Sequence, residues 1–283
     1  MLKNFGKDEF LKGSLVLMLS LGVFNILNYV FQISMARLLG PAEYGILAVL
    51  MSLAYIFNIP SEAIQTITSG YTSKFNVRRE NGKIKDLMIR GLKKGLVFSA
   101  VAFLIFLLLS FWLSNLLRIP KYLLLVTGLV IVGSFITPIT RGILQGTKRF
   151  FALGMNMILE SALKVILAIV LVTAGFGAIG GIIGLALALL GAFILSFLPL
   201  KIILNSKRER NDFEKVYSYN LPGLIAVTSI VLIYSLDIIF ARIFFSPIAA
   251  GQYAFVSLVG KAIFFANMAI GKAMFPLTSE KSE

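Results

Sequence analysis

Five ionisable residues, Glu62, Glu160, Lys164, Asp237 and Lys261, stand inside long apolar runs of this chain. A charged side chain near the centre of a membrane-crossing helix costs about 2.5–3.5 kcal/mol on insertion scales, so such residues mark cavities or paired sites by default. Glu160 and Lys164 are four residues apart, share a helical face and can pair. Arg141 ends a polar stripe with Ser134, Thr137 and Pro138. Its guanidinium is either a donor at the mouth of a cavity or a cation snorkelling to the interface. Asn25, Asn28 and Gln32 fall on one face of the first apolar run. Asn58, Glu62 and Gln65 do the same on the second, where Pro60 predicts a kink. Such amides either bond a neighbouring helix or line a hydrated cavity.

The elements that carry these residues follow from composition. Of 283 residues, 58% are hydrophobic and 14% charged, against about 25% charged in a typical soluble domain. Apolar runs of about 20 residues, the length that crosses the hydrocarbon, recur along the whole chain. Eight spans can be drawn, near 13–35, 45–71, 96–117, 123–145, 152–173, 178–200, 221–244 and 252–275. The fold class is therefore an all-α polytopic membrane bundle. The chain contains no cysteine and no histidine, which excludes disulfides, Cys/His zinc sites, His or Cys haem ligation and Ser-His-Asp chemistry. No metal site and no cofactor is expected. Lys3, Lys7 and Lys12 precede the first run, and Ser34-Met35-Ala36 has the look of a cleavage site, but the run is too long for a signal h-region. It reads as a retained first helix.

The formal net charge of +14 would suggest nucleic acid in a soluble protein, but the positions of the cations give another reason for it. With the N-terminus placed in the cytoplasm and the intramembrane Lys164 and Lys261 set aside, only Arg37, Arg118, Lys121 and Arg242 of the basic residues fall on the opposite side. That asymmetry follows the positive-inside rule and calls for no nucleic-acid partner. The largest cytoplasmic segment, 72–95, holds an amphipathic stretch with Ile84, Leu87, Met88 and Leu92 on one face, which suits a helix lying on an anionic membrane surface. Gly177, Gly180, Gly181 and Gly184 supply small-xxx-small spacings for close helix packing. No Walker motif accompanies them, so any transport would draw on an ion or substrate gradient.

The chain also repeats itself. Tyr29-Val-Phe-Gln-Ile-Ser-Met-Ala-Arg37 aligns with Tyr234-Ser-Leu-Asp-Ile-Ile-Phe-Ala-Arg242, placing Gln32 opposite Asp237. After a one-residue insertion, Pro41 aligns with Pro247 and Gly45 with Gly251. Six helices separate the copies, so both have the same orientation, as in the parallel repeats of some two-bundle transporters. This predicts a six-helix bundle over 1–200, a basic cytoplasmic linker over 201–216, and the first two helices of a second bundle over 217–283.

Ala36-Arg-Leu-Leu-Gly-Pro-Ala-Glu-Tyr-Gly45 resembles the signature after the first helix of polysaccharide-biosynthesis oligosaccharide flippases. Arg141-Gly-Ile-Leu-Gln-Gly-Thr-Lys-Arg-Phe150 resembles their motif after the fourth helix. Asp237, with Ser246-Pro247 and Gly251-Gln252-Tyr253, resembles the start of their second bundle. The resemblance covers nearly the whole chain and points to the multidrug/oligosaccharidyl-lipid/polysaccharide flippase superfamily. It implies two bundles around a central cavity and translocation of a polyprenyl-linked oligosaccharide across the cytoplasmic membrane by alternating access. It implies no enzymatic activity, and the outer loops are too short for a glycan-transfer site. A drug or small-cation exporter of the same superfamily is the alternative, against which Lys164 and Lys261 argue. On this reading Arg141 and Lys164 contact substrate phosphate, Lys261 is a further substrate-binding residue, and Asn25, Asn28 and Gln32 contact sugar. Glu160, Asp237 and Glu62 are ion-coupling groups or structural pairs. Membrane lipid and the lipid-linked glycan are the expected partners. The stop near Pro276, inside the second bundle, suggests a truncated product, a fragment or a split transporter whose second chain supplies the missing helices.

Overall fold

The computed structural model describes residues 2–210 and 221–261, which are helix and turn with no strand among them. The expected linker beyond residue 210 and the last span beyond residue 261 lie outside the described residues.

α1 (Leu2–Phe57) runs for 56 residues but contains two spans. Gly40 stands at φ 70°, ψ 171°, a region that glycine enters without the steric penalty of a Cβ, and Pro41 follows it. The chain folds back there. Gln32 Nε2 lies 3.7 Å from Met51 Sδ, and Tyr44 OH donates to Gln32 Oε1 at 3.2 Å, whereas 19 residues of straight helix would span about 28 Å. The second span breaks once more at Asn58, and α2 (Ile59–Val77) carries Pro60 in its first turn, where the missing N–H leaves no bond unmade. This is the kink that Pro60 predicts.

α3 (Asn81–Leu117) is a single helix of 37 residues, and here the expected surface helix is corrected. Ile84, Leu87 and Met88 are buried, and Ile84 and Met88 pack in a cluster with Ile139, Ile143, Leu200 and Ile203. The amphipathic face is covered by protein rather than by lipid. Asp86, wholly buried, binds Arg90 Nε at 3.0 Å and Arg208 Nε at 2.7 Å. Lys85 Nζ donates to the carbonyls of Leu204 at 2.6 Å and Ser206 at 3.0 Å. These bonds lay the start of the basic linker, the short α7 (Lys201–Asn205) and the residues just after it, along α3.

α4 (Lys121–Gly146) is the central helix, with 72% of its most apolar stretch buried. It crosses α2 at Gly142 and Gly146, where a Cβ would come within 2.7 Å of the Gln65 carbonyl and 2.5 Å of the Ser69 carbonyl. Gly142→Val is expected to destabilise the bundle by about 1–3 kcal/mol through overpacking, read as a lower melting temperature in detergent; an unchanged melt would show that this crossing is loose.

α5 (Phe150–Leu171) and α6 (Gly177–Leu195) are joined by a π turn, Val172–Phe176. They pack closely because Gly184 and Gly180 leave room for the backbones of Ala168 and Leu171, the packing role expected of that glycine series. Glu43 Oε2 accepts the Ala178 N–H at 3.1 Å, an anion at the positive end of α6. α8 (Leu221–Phe244) leans on α1, and α9 follows over residues 247–261.

Among the described residues, four stretches are long and apolar enough to cross a membrane: Leu15–Phe57, Asn81–Leu117, Lys121–Gly146 and Phe150–Asn205. The first and last fold back on themselves, and α8 and α9 add to them, so the described residues form a helical membrane bundle. Leu104, Leu108, Phe111 and Trp112 on α3 are exposed, as lipid-facing residues of a bundle are. Inside, one apolar cluster gathers Phe31, Met35, Leu50, Leu124 and Ile131, and another gathers Ile84, Ile139, Ile143 and Leu200.

Candidate functional site

A cavity of about 180 Å³ opens between α1, α2, α4, α5 and α6, lined by Asn28, Tyr55, Asn58, Gln65, Ser134 and Thr137 among others. Its charged lining residues are Arg141, Glu160 and Lys164. α5 presents Asn156, Glu160 and Lys164 at successive intervals of four, one above the next on a single face.

Arg141 Nη2 forms a short ion pair with Glu160 Oε2, with the two side chains 12% and 11% exposed. Arg141 Nε donates to Asn156 Oδ1 at 2.9 Å, and Asn156 Nδ2 donates to the Ala192 carbonyl of α6 at 2.6 Å. One cation thereby ties three helices. Lys164 is 4% exposed. It donates to Asn28 Oδ1 and lies 4.8 Å from the centre of the Phe31 ring. Asn28 Nδ2 in turn donates to the Phe24 carbonyl at 2.8 Å. An ammonium has three donors, and among the described residues no carboxylate oxygen pairs with this one. Two cations and one carboxylate leave the cavity with a single positive charge, and in a low-dielectric site that charge favours an anion.

The structure thus brings Arg141, Glu160, Lys164 and Asn28 together. The expected Glu160–Lys164 pair is replaced by Glu160–Arg141, because the crossing of α4 and α5 delivers a guanidinium to the carboxylate. Gln32 lies outside the cavity and bonds Met51 and Tyr44. Asn25 and Glu62 are exposed and have no hydrogen-bond or ion-pair partner among the described residues. Gln65 reaches Gln145 Oε1 at 3.0 Å, in the wall between α2 and α4. Asn156 was not singled out from the sequence, although its spacing of four from Glu160 is a usable signal.

Asp237 and Lys261 form a second polar cluster between α8 and α9. Lys261 Nζ lies 2.9 Å from Asp237 Oδ2 and donates to the Tyr234 carbonyl at 2.6 Å, while Ser257 Oγ donates to Asp237 Oδ2 at 2.7 Å. The repeat is visible in this register. Asp237 holds α8 to α9 through Ser257, as Gln32 joins the two halves of α1 at Met51, the residue in Ser257's register. The paired motifs also meet face to face: a Cβ on Gly45 would touch the Gly251 backbone and the Pro247 carbonyl, and one on Gly251 would overlap the Pro41 carbonyl.

A repeated helical bundle folded around a charged internal cavity defines a multi-pass membrane protein. Residues 10–282 match the sequence model of the family described as polysaccharide biosynthesis protein, and the chain belongs to that family. It is 26% identical over 275 residues to an uncharacterized membrane protein of Methanocaldococcus jannaschii, a match covering 90% of this chain and 64% of that one. Its fold is similar to that of a MOP superfamily transporter from Pyrococcus furiosus, with TM-score 0.53 and 15% identity, covering 91% of this chain and 65% of the other. It is also similar to a multidrug resistance MATE family transporter of that superfamily in an inward-facing conformation, with TM-score 0.58, 15% identity, and coverage of 84% and 57%. The chain spans less than two thirds of the length of each of these three proteins.

Proposed function

We propose that this chain carries one bundle and the opening of a second in a flippase that moves a polyprenyl-linked oligosaccharide across the cytoplasmic membrane. The observation that supports this most is the cavity's unbalanced charge: among the described residues no carboxylate lies within ion-pair distance of Lys164, and Arg141 lies in the same cavity and is matched to Glu160. A diphosphate linking lipid to sugar is an anion that such a pair of cations can bind. The surrounding Asn28, Asn58, Gln65, Ser134 and Thr137 offer donors and acceptors for hydroxyls. In this reading the N-terminus and the basic linker face the cytoplasm, and the two bundles rock around the cavity in alternating access. Asp237 and Lys261 act in the second bundle, as a coupling group or as a bond between helices. A positively charged cavity is poorly suited to an organic cation, which disfavours the exporter reading.

Deletion of the gene is expected to accumulate lipid-linked glycan facing the cytoplasm, measured by its protection from an added membrane-impermeant glycosidase in right-side-out vesicles. Outward-facing glycan at the normal level, with no second flippase present, would rule the function out.

A further inference from the structure

Two adjoining polar groups in the α4 wall of the cavity have no partner. Thr137 lines the cavity and is 2% exposed, and its Oγ1 makes no hydrogen bond among the described residues. A hydroxyl inside a helix ordinarily bonds the carbonyl four residues back, as Thr127 bonds that of Leu123 and Ser134 that of Val130. Thr137 does not. The next residue, Pro138, stands inside the helix. Proline has no N–H, so the Ser134 carbonyl is without the donor that the helix would give it. No side chain among the described residues replaces that donor; the nearby Thr140 hydroxyl bonds the Thr137 carbonyl instead. Buried polar groups are almost always satisfied, and these two are a hydroxyl and an acceptor-only oxygen.

Their position relative to the charges follows from the path of the chain. α4 and α5 run antiparallel from the turn at 147–149. Going away from that turn, α4 presents Arg141, then Thr137, then Ser134, and α5 presents Asn156, then Glu160, then Lys164. Arg141 Nε bonds Asn156 and Nη2 bonds Glu160, so the guanidinium extends away from the turn, as long helical side chains lean toward the N-terminus of their own helix. Thr137 and Ser134 therefore stand on the α4 wall beside the space that separates the Arg141 and Lys164 cations.

We propose that the Thr137 hydroxyl and the Ser134 carbonyl form a subsite for a hydrogen-bond donor carried next to the ligand's phosphate. The cavity would then select a sugar phosphate with a hydroxyl or amide N–H on the carbon beside the phosphorylated one. This rests on the reading of the cavity as an anion site. A ligand without that donor leaves the Ser134 carbonyl unpaired against another acceptor, which is how a polar site rejects an analogue that lacks one hydroxyl. Pro138 is on this account a specificity-determining residue, because its missing N–H keeps the carbonyl available.

The test uses the full-length protein, expressed from its own gene and purified in detergent. Inorganic phosphate, α-D-glucose 1-phosphate and the 2-deoxy analogue of that sugar phosphate are titrated by calorimetry. The parent is expected to bind glucose 1-phosphate roughly tenfold more tightly than the deoxy analogue. Thr137→Val removes the hydroxyl at nearly constant shape, and Pro138→Ala gives the Ser134 carbonyl an N–H. Each should bring the two sugar phosphates within about twofold of each other. Melting temperature should stay level or rise, because neither change removes a bond that the protein makes. Equal binding of the two sugar phosphates by the parent, or variants that keep the parent's preference, would overturn the subsite. So would a lower melting temperature with unchanged preference, the mark of groups that hold a structural water. Phosphate binding that Lys164→Gln abolishes, without any preference between the sugars, would sink the subsite and leave the anion site standing. No binding of any probe would remove both. The comparison in the parent decides the question even where a variant fails to accumulate.

Discussion

Replacing Arg141 by leucine is expected to lower the stability of the bundle by about 3–5 kcal/mol, the usual cost of removing one partner from a buried ion pair. Among the described residues Glu160 has no other ion-pair partner, and its side chain is 11% exposed. Asn156 Oδ1 loses its donor in the same step. The double variant Arg141→Met with Glu160→Met is expected to recover most of that loss, because similar-sized apolar residues can replace both charges without leaving either one unpaired. Transport should not return with stability, since the double variant lacks the cation proposed to meet the substrate. Thermal unfolding in detergent, beside a glycan-translocation assay, separates the two effects. A single variant that melts with the parent would mean that Glu160 is neutral or hydrated and that the pair holds nothing together.

That pair marks the limit of what the residues disclosed before folding. The spans were legible because membrane crossing demands long uncharged runs, and the break at Asn58 was legible because Pro60 cannot continue an ordinary helix. The repeat was legible because Arg, Pro and Gly matched in register, which shared hydrophobicity does not produce. The partner of Glu160 was not. Spacing along one helix says that Lys164 can reach it, but the angle at which α4 crosses α5 decides that Arg141 does. The amphipathic face of α3 is a similar case. Its pattern says that Ile84, Leu87 and Met88 are covered, but not whether lipid or α4 and α7 cover them. Gln32 shares a polar face with Asn25 and Asn28, but the fold gives its amide to Met51 and Tyr44, because the hairpin at Gly40 brings distant residues of α1 together. Local spacing states which groups share a face, and the interhelical geometry that selects among them is set by packing.

Lys164→Gln reverses the relation between stability and function expected of Arg141→Leu. The lysine is 4% exposed and donates to Asn28. A glutamine keeps a donor for that bond while removing a charge that is costly to bury. The variant should therefore melt at or above the parent temperature. Its translocation rate is nevertheless expected to fall roughly 10–100-fold, the range that follows from a lost hydrogen bond to a charged group of about 1.5–3 kcal/mol. Lys164→Glu should abolish translocation and also destabilise, because it sets a second carboxylate near Glu160 in a cavity whose remaining cation is already engaged. Translocation is scored as lipid-linked glycan reaching the outer leaflet, with protein amounts matched. Normal translocation by a stable Lys164→Gln protein would make this ammonium a packing element against Phe31 and Asn28, and the anion-binding reading of the cavity would then rest on Arg141 alone.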